Sequence, residues 1–246
     1  MQLAESYARQ VADAGQAMGL PFIAVAADIG SPEPLRGADG RPLAETTFRW
    51  LDPELRYWED RGFALKAAFV RVARICSEPF HFKAGRFGSW RPNAAIEAIM
   101  REGEVESFGV GAAIVAPAYR PGGVIGAVVW ATPDPAFDVE AVFEAQAADL
   151  HALAMKFVGS YEEATLGGPV LDATRLTRRE IQCLKWAAAG KTDTEISQIV
   201  GISLPTVRFH ITNASRRLGV TGRSRAVRHA AVLGYIGSEF GARPEA

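Results

Sequence analysis

The segment TRREIQCLKWAAAGKTDTEISQIVGIS starts a helix and stops it twice in quick succession, and this punctuation constrains the fold more than any other feature of the sequence. Thr177 followed by Glu180, and Thr192 followed by Glu195, are capping boxes: hydroxyl and carboxylate each satisfy a backbone N–H that a first helical turn leaves free. Gly190 and Gly201 supply the residue that ends a helix at little steric cost. A third helix starts at Ser203, where Pro205 is tolerated because the first turn has unpaired N–H groups anyway, and a fourth is capped by Ser224 and ended by Gly234. The first helix is expected to bury Ile181, Leu184 and Ala188, and the short second one to present Ile196, Ile199 and Val200. Helix, short helix, tight turn, helix and supporting helix predict an all-α four-helix unit over residues 176–236.

Its third helix has two unlike sides. Read at about 100° per residue, Val207, Ile211, Ala214 and Leu218 share one stripe, while Arg208, Phe209, Thr212 and Arg216 lie roughly opposite. The first stripe requires a core and the second a partner. In a helix-turn-helix the short helix crosses the phosphate backbone and the next enters the major groove, so the second must be amphipathic with a donor-rich outer face. Arg208 can give a guanine two parallel hydrogen bonds, Phe209 can meet a thymine methyl, and Thr212 lies one turn along the same face. Lys191, Thr192, Ser203, Thr206, Asn213, Arg216, Arg217 and Arg223 are placed to meet phosphates, which adds affinity without sequence information. Plainer readings stand beside these. Arg216 and Arg217 also solvate a helix and favour its C-terminal dipole, Phe209 also suits a part-buried core position, and His210 reads as packing or capping.

Charge agrees with a polyanionic partner. Residues 175–236 hold eleven Lys and Arg against three Asp and Glu, whereas residues 1–174 hold fifteen against twenty-three, so the formal net charge of −1 conceals a split.

The first 160 residues follow another grammar. A helical period over Leu3, Tyr7, Val11 and Ala14 precedes PFIAVAADI, a short buried strand, and a loop rich in Pro and Gly. Helical patterns return in PELRYWEDRGFALKAAFVRVARI, broken near Gly62, and in PNAAIEAIMREGE, where Ile96, Ile99 and Met100 face inward. FGVGAAIVA and GGVIGAVVWA flank a turn and read as a hairpin of central strands. Val139, Val142, Phe143, Ala147, Leu150, Leu153, Ala154 and Phe157 outline a helix of about five turns. The mixed order predicts an α/β/α sandwich, with residues 161–175 as linker and 237–246 as tail.

Other classes find little support. The four histidines have no metal-ligand spacing, Cys76 and Cys183 read as buried thiols, and neither a GxSxG elbow nor a complete dinucleotide loop occurs. No enzyme activity, cofactor or metal is expected. No apolar run approaches a membrane span and no signal-peptide core is present, so the expected compartment is the cytoplasm.

The C-terminal segment, through LTRRE, AAGK, the EI of TDTEI, ISLPTVRFH and RLGV, closely resembles the DNA-binding domain of LuxR-type transcriptional regulators. That resemblance implies base reading through Arg208 and Thr212, a dimer formed with help from the fourth helix, and RNA polymerase as a further partner. SEPFHF and FGVGAAIVAPAYRPGGVIGAVVWA resemble, more weakly, the autoinducer-binding domain of quorum-sensing regulators. The ligand positions matched are Glu54, Trp58, Ala67, Phe82 and Ala113, and they depart from the family pattern. Ala67 stands where the family places an Asp that accepts the amide N–H of an acyl-homoserine lactone, and an unpaired buried donor costs about 1–3 kcal/mol. The resemblance with these departures implies a ligand-responsive regulator of the solo type, not tuned to ordinary lactones and answering a small-molecule signal of unknown identity. The alternatives are a ligand-independent regulator whose first domain only dimerises, and a protein-binding regulator whose basic domain meets an acidic partner.

Overall fold

The computed structural model describes residues 1–52, 67–103, 105–166 and 175–237, which fall into two compact units. In the first, helix α1 (Gln2–Met18) leads into strand β1 (Phe22–Ala26), and a one-turn helix α2 (Leu43–Thr46) follows. Then come α3 (Ala68–Ile75), β2 (Phe80–Lys83), β3 (Arg86–Ser89), α4 (Ala94–Arg101), β4 (Ala112–Tyr119), β5 (Ile125–Thr132) and the long helix α5 (Val139–Leu166). The sheet is antiparallel throughout, in the order β1-β5-β4-β2-β3.

Side-chain alternation on the sheet feeds two cores. Ile23, Val25, Ile114, Ala116, Val128 and Trp130 pack with α1 and α5, while Phe80, Phe82, Ala113, Val115 and Ala131 pack with α3 and α4. Strand β4 is therefore buried on both faces along seven of its eight residues, as an α/β/α sandwich requires. Trp130, fully buried, donates from Nε1 to the Val11 carbonyl at 2.9 Å. Gly15 of α1 and Gly126 of β5 let helix and sheet come into close contact. A Cβ on Gly15 would stand 3.0 Å from Trp130 Cδ1, and one on Gly126 2.8 Å from Val158 Cγ1 of α5.

Four features of this unit differ from the sequence reading. The buried stripe of α1 is Ala4, Ala8, Val11, Gly15 and Met18, and Leu3 is 59% exposed, because small residues that admit a close approach outweigh larger apolar ones. PFIAVAADI forms β1 at the sheet edge, with alternating burial. The β2–β3 hairpin was not anticipated. Its turn uses Ala84 (φ 46°) and Gly85 (φ 84°), and alanine in a left-handed position is an unusual turn signal. Finally, α5 runs to Leu166, into the segment read as linker. Tyr161 is buried there, its hydroxyl accepting the Arg36 N–H at 2.7 Å, and Glu162 pairs with Arg120 at 2.9 Å. The PELRYWEDRGFALK part of the expected helical pair lies outside the described residues.

The second unit contains α6 (Arg178–Ala188), α7 (Asp193–Val200), α8 (Leu204–Arg217) and α9 (Arg223–Val232). Both capping boxes form, and Ser203 caps α8. Leu184, Ala214, Leu218, Ala226, Ala230 and Ile236 make one core, and Cys183, Ile196, Val207 and Ile211 a second. Three sequence readings are corrected. Gly222, not Ser224, occupies the N-cap of α9 and offers no side-chain cap. Ala188 is exposed at the end of α6, where Cys183 takes the buried position beside Leu184. Ile199 is 44% exposed because α7 is too short to turn more than one face inward. Among the described residues no helix is long and apolar enough to cross a membrane.

Candidate nucleic-acid interface

The structure divides α8 as its spacing predicts. Val207, Ile211, Ala214 and Leu218 are buried, whereas Arg208, Thr212, Arg216 and Arg217 are exposed. Phe209 is 61% exposed, its ring edge-on to the half-buried His210 at 5.7 Å, so the part-buried core reading of Phe209 does not hold. An aromatic ring this open on a donor-rich helix face is available to a partner with apolar edges.

The rest of the surface is prepared by local chemistry. Ser203 Oγ accepts the Thr206 N–H at 3.3 Å, and the two hydroxyls lie 2.7 Å apart, which fixes the start of α8. Glu195 accepts from the Thr192 N–H at 2.8 Å and the Thr192 hydroxyl at 2.9 Å, and Lys191 approaches it at 3.4 Å. These bonds, the Thr192 N–H foremost, hold the Glu195 carboxyl below its ordinary range. Asn213 Oδ1 accepts from Arg216 Nη2 at 3.0 Å.

Two of the expected phosphate contacts, Arg217 and Arg223, are held by groups distant in the sequence. Arg217 reaches the buried Glu180 at 3.2 Å and donates to the Arg175 carbonyl at 3.0 Å. Arg223 donates to Asp193 at 2.5 Å and to the Lys191 carbonyl. Neither acidic partner is predictable from helical periodicity, because each pair joins residues about 30 or more positions apart. Asp193, which the sequence reading passes over, also faces Arg208 Nε at 3.7 Å. Its one local signal is an acidic residue opening a helix in a basic segment.

In the first unit, Glu54 and Trp58 lie outside the described residues. Phe82 and Ala113 are register partners on β2 and β4, both fully buried on the face that packs against α3 and α4. Ala67 is buried at the N-cap of α3. Two residues on, Phe69 lies 4.8 Å from Phe82 and 5.2 Å from Phe87, ring centre to ring centre. The Phe82 position is thus part of an aromatic cluster with Phe69, Phe80 and Phe87. Both thiols are buried, and burial pushes each up from its ordinary pKa.

A short capped helix, a glycine-ended turn and a longer helix with a buried back and a donor-bearing front define a helix-turn-helix DNA-binding domain. Residues 174–230 match the bacterial regulatory proteins of the luxR family, and the C-terminal unit is a domain of that family. The transcriptional activator protein VanR of Vibrio anguillarum is 51% identical over 61 residues, a quarter of each chain. The match spans about a quarter of the length of the first curated relatives. The transcriptional activator protein LuxR of Aliivibrio fischeri strain ES114 is 27% identical over 188 residues, covering 75% of this chain and 72% of that protein, so homology extends beyond the C-terminal domain. The crystal structure of Escherichia coli SdiA aligns over 96% of this chain and 93% of that one, with 17% identity and a TM-score of 0.49.

Proposed function

We propose that the protein is a sequence-specific DNA-binding transcriptional regulator that acts in the cytoplasm as a homodimer, with its N-terminal domain as the sensor of a small-molecule signal. The observation that carries the reading is the outer face of α8, where Arg208, Phe209 and Thr212 stand exposed above a fully formed core. Arg208 reads a guanine, Phe209 meets a thymine methyl and Thr212 contacts a neighbouring base. Lys191, Thr192, Ser203, Thr206, Asn213 and Arg216 meet phosphates, with Arg217 and Arg223 contributing charge from positions braced by Glu180 and Asp193. RNA polymerase is the further partner a transcriptional regulator would contact. The protein binds and is not a catalyst, in keeping with relatives that are regulators.

For the sensor we propose a ligand other than an ordinary acyl-homoserine lactone, with Phe82 and Ala113 on the sheet and Ala67 at the start of α3 among its ligand positions, and Glu54 and Trp58 as further candidates. A second reading, that the domain only dimerises, draws support from the aromatic cluster around Phe82, which fills that position with core. Binding of the full chain to a random pool of duplexes at moderate ionic strength tests the first proposal: one enriched motif is expected, and no preference over scrambled DNA would refute it. A thermal-shift comparison of acyl-homoserine lactones with other small molecules tests the second, and tight lactone binding would refute the argument from Ala67.

A further inference from the structure

We infer that Asp193 is a positioning residue for base reading: by holding the Nε edge of Arg208, it turns the two terminal nitrogens of that guanidinium toward a base. The inference rests on the DNA-reading role proposed for Arg208 and deepens it. Asp193 is the first residue of α7 and 27% exposed at its side chain. Its Oδ1 takes Arg223 Nη1 at 2.5 Å, and its Oδ2 faces Arg208 Nε at 3.7 Å. Arg223 also donates through Nη2 to the Lys191 carbonyl. One carboxylate is therefore fixed between the turn before α7 and the first turn of α9, and it offers its remaining oxygen to the front of α8.

The two arginines play unequal parts. Arg223 is 33% exposed and bonded twice, so it anchors Asp193; Arg208 is 67% exposed and held by a looser contact, so it retains freedom to reach outward. At 3.7 Å the Arg208 contact is an ion pair and too long for a hydrogen bond. A guanidinium is a planar fork of five N–H donors, and a guanine needs two parallel ones. Contact at Nε leaves Nη1 and Nη2 available as that pair. Without Asp193, a rotamer-rich side chain is free to find phosphate oxygens instead. A carboxylate close to DNA also repels phosphates. Asp193 thus sharpens the guanine contact while weakening indiscriminate binding, and these effects have opposite signs. A residue that merely stapled α7 to α9 through Arg223 would produce neither.

The test uses the full chain and a pool of random duplexes sequenced before and after binding, with melting temperature as the check on folding. Arg208→Ala is expected to flatten the preference at one guanine position. Asp193→Asn, which keeps the shape of the side chain and removes its charge, is expected to lower the preference at that same position about three- to fivefold. It is also expected to raise binding to scrambled duplex and leave the other positions unchanged. Asp193→Ala should repeat this, and adding it to Arg208→Ala should cost nothing more at that position. If Arg208→Ala flattens a position and the Asp193 variants do not, or if they lower every position equally, this inference falls and the DNA-reading proposal stands. If Arg208→Ala changes no base preference, both fall.

Discussion

The two units solve the problem of burial by opposite means. The N-terminal one relies on long-range packing: a five-stranded sheet is covered on both faces, and Trp130 from β5 bonds to the backbone of α1 more than a hundred residues away. The C-terminal one is assembled from short helices, three of which have their starts fixed within a few residues, by two capping boxes and a serine cap. A domain of the first kind depends on contacts between residues far apart in the chain, and one of the second kind adds local caps at its helix ends. The difference also separates their surfaces, since the small helical unit spends its interior on fewer residues and leaves the front of α8 free for a partner.

Substitutions can break or sharpen this contrast. The largest effect is expected from Trp130→Ala, which removes the widest side chain of the first core and should cost about 3–5 kcal/mol of that unit's stability. Calorimetry should show one transition lowered and the C-terminal one unmoved; a shift of both would mean that the units do not unfold independently. Next comes Arg208→Ala, a change at an exposed position, expected to lose about 1–3 kcal/mol of discrimination at one base pair with melting unaltered. Thr177→Ala should cost about 1 kcal/mol through the lost cap of α6, read as a lower C-terminal transition alone.

The smallest effects are those of pH. Burial lowers the pKa of His81, whose ring packs 5.0 Å from Phe143 and whose buried Nδ1 has no hydrogen-bond partner among the described residues. A histidine kept neutral in the folded state contributes fully above its unfolded pKa, and stability falls as pH drops below about 6.5. Melting of the first transition between pH 7.5 and 5.5 should show that slope, and His81→Leu should flatten it. Glu195 has the opposite local cause and a lower window. Its depressed carboxyl supports α7 above the ordinary glutamate range and loses that support as pH falls through its folded value, so the C-terminal transition should weaken only in stronger acid.

How much was legible follows from the same contrast. The ends of α6, α7 and α8 are encoded next door, so Thr177, Thr192, Gly201 and Ser203 announced them, and the exposed front of α8 followed from a simple period. What escaped was set at a distance. The β2–β3 hairpin carries an alanine where a turn usually displays asparagine or glycine, and the stripe of α1 includes Ala4, Ala8 and Gly15, which are too small to stand out as an apolar period. At the interface, Arg217 and Arg223 looked like free charge until the fold brought Glu180 and Asp193 beside them. At the proposed ligand positions, register places Phe82 beside Ala113, but no sequence spacing reveals that Phe69 and Phe87 crowd the same place.

Gly15 within α1 and Gly126 beneath α5 carry one last implication. Where a glycine lies against Trp130 or Val158 with no room for one more carbon, helix and strand cannot shift without collision, and that flank of the sheet behaves as an anvil. Were this unit to act as the sensor proposed above, a guest would gain its volume on the opposite flank, among the rings of Phe69, Phe82 and Phe87. Adaptation to new signals would then have a direction built into the architecture.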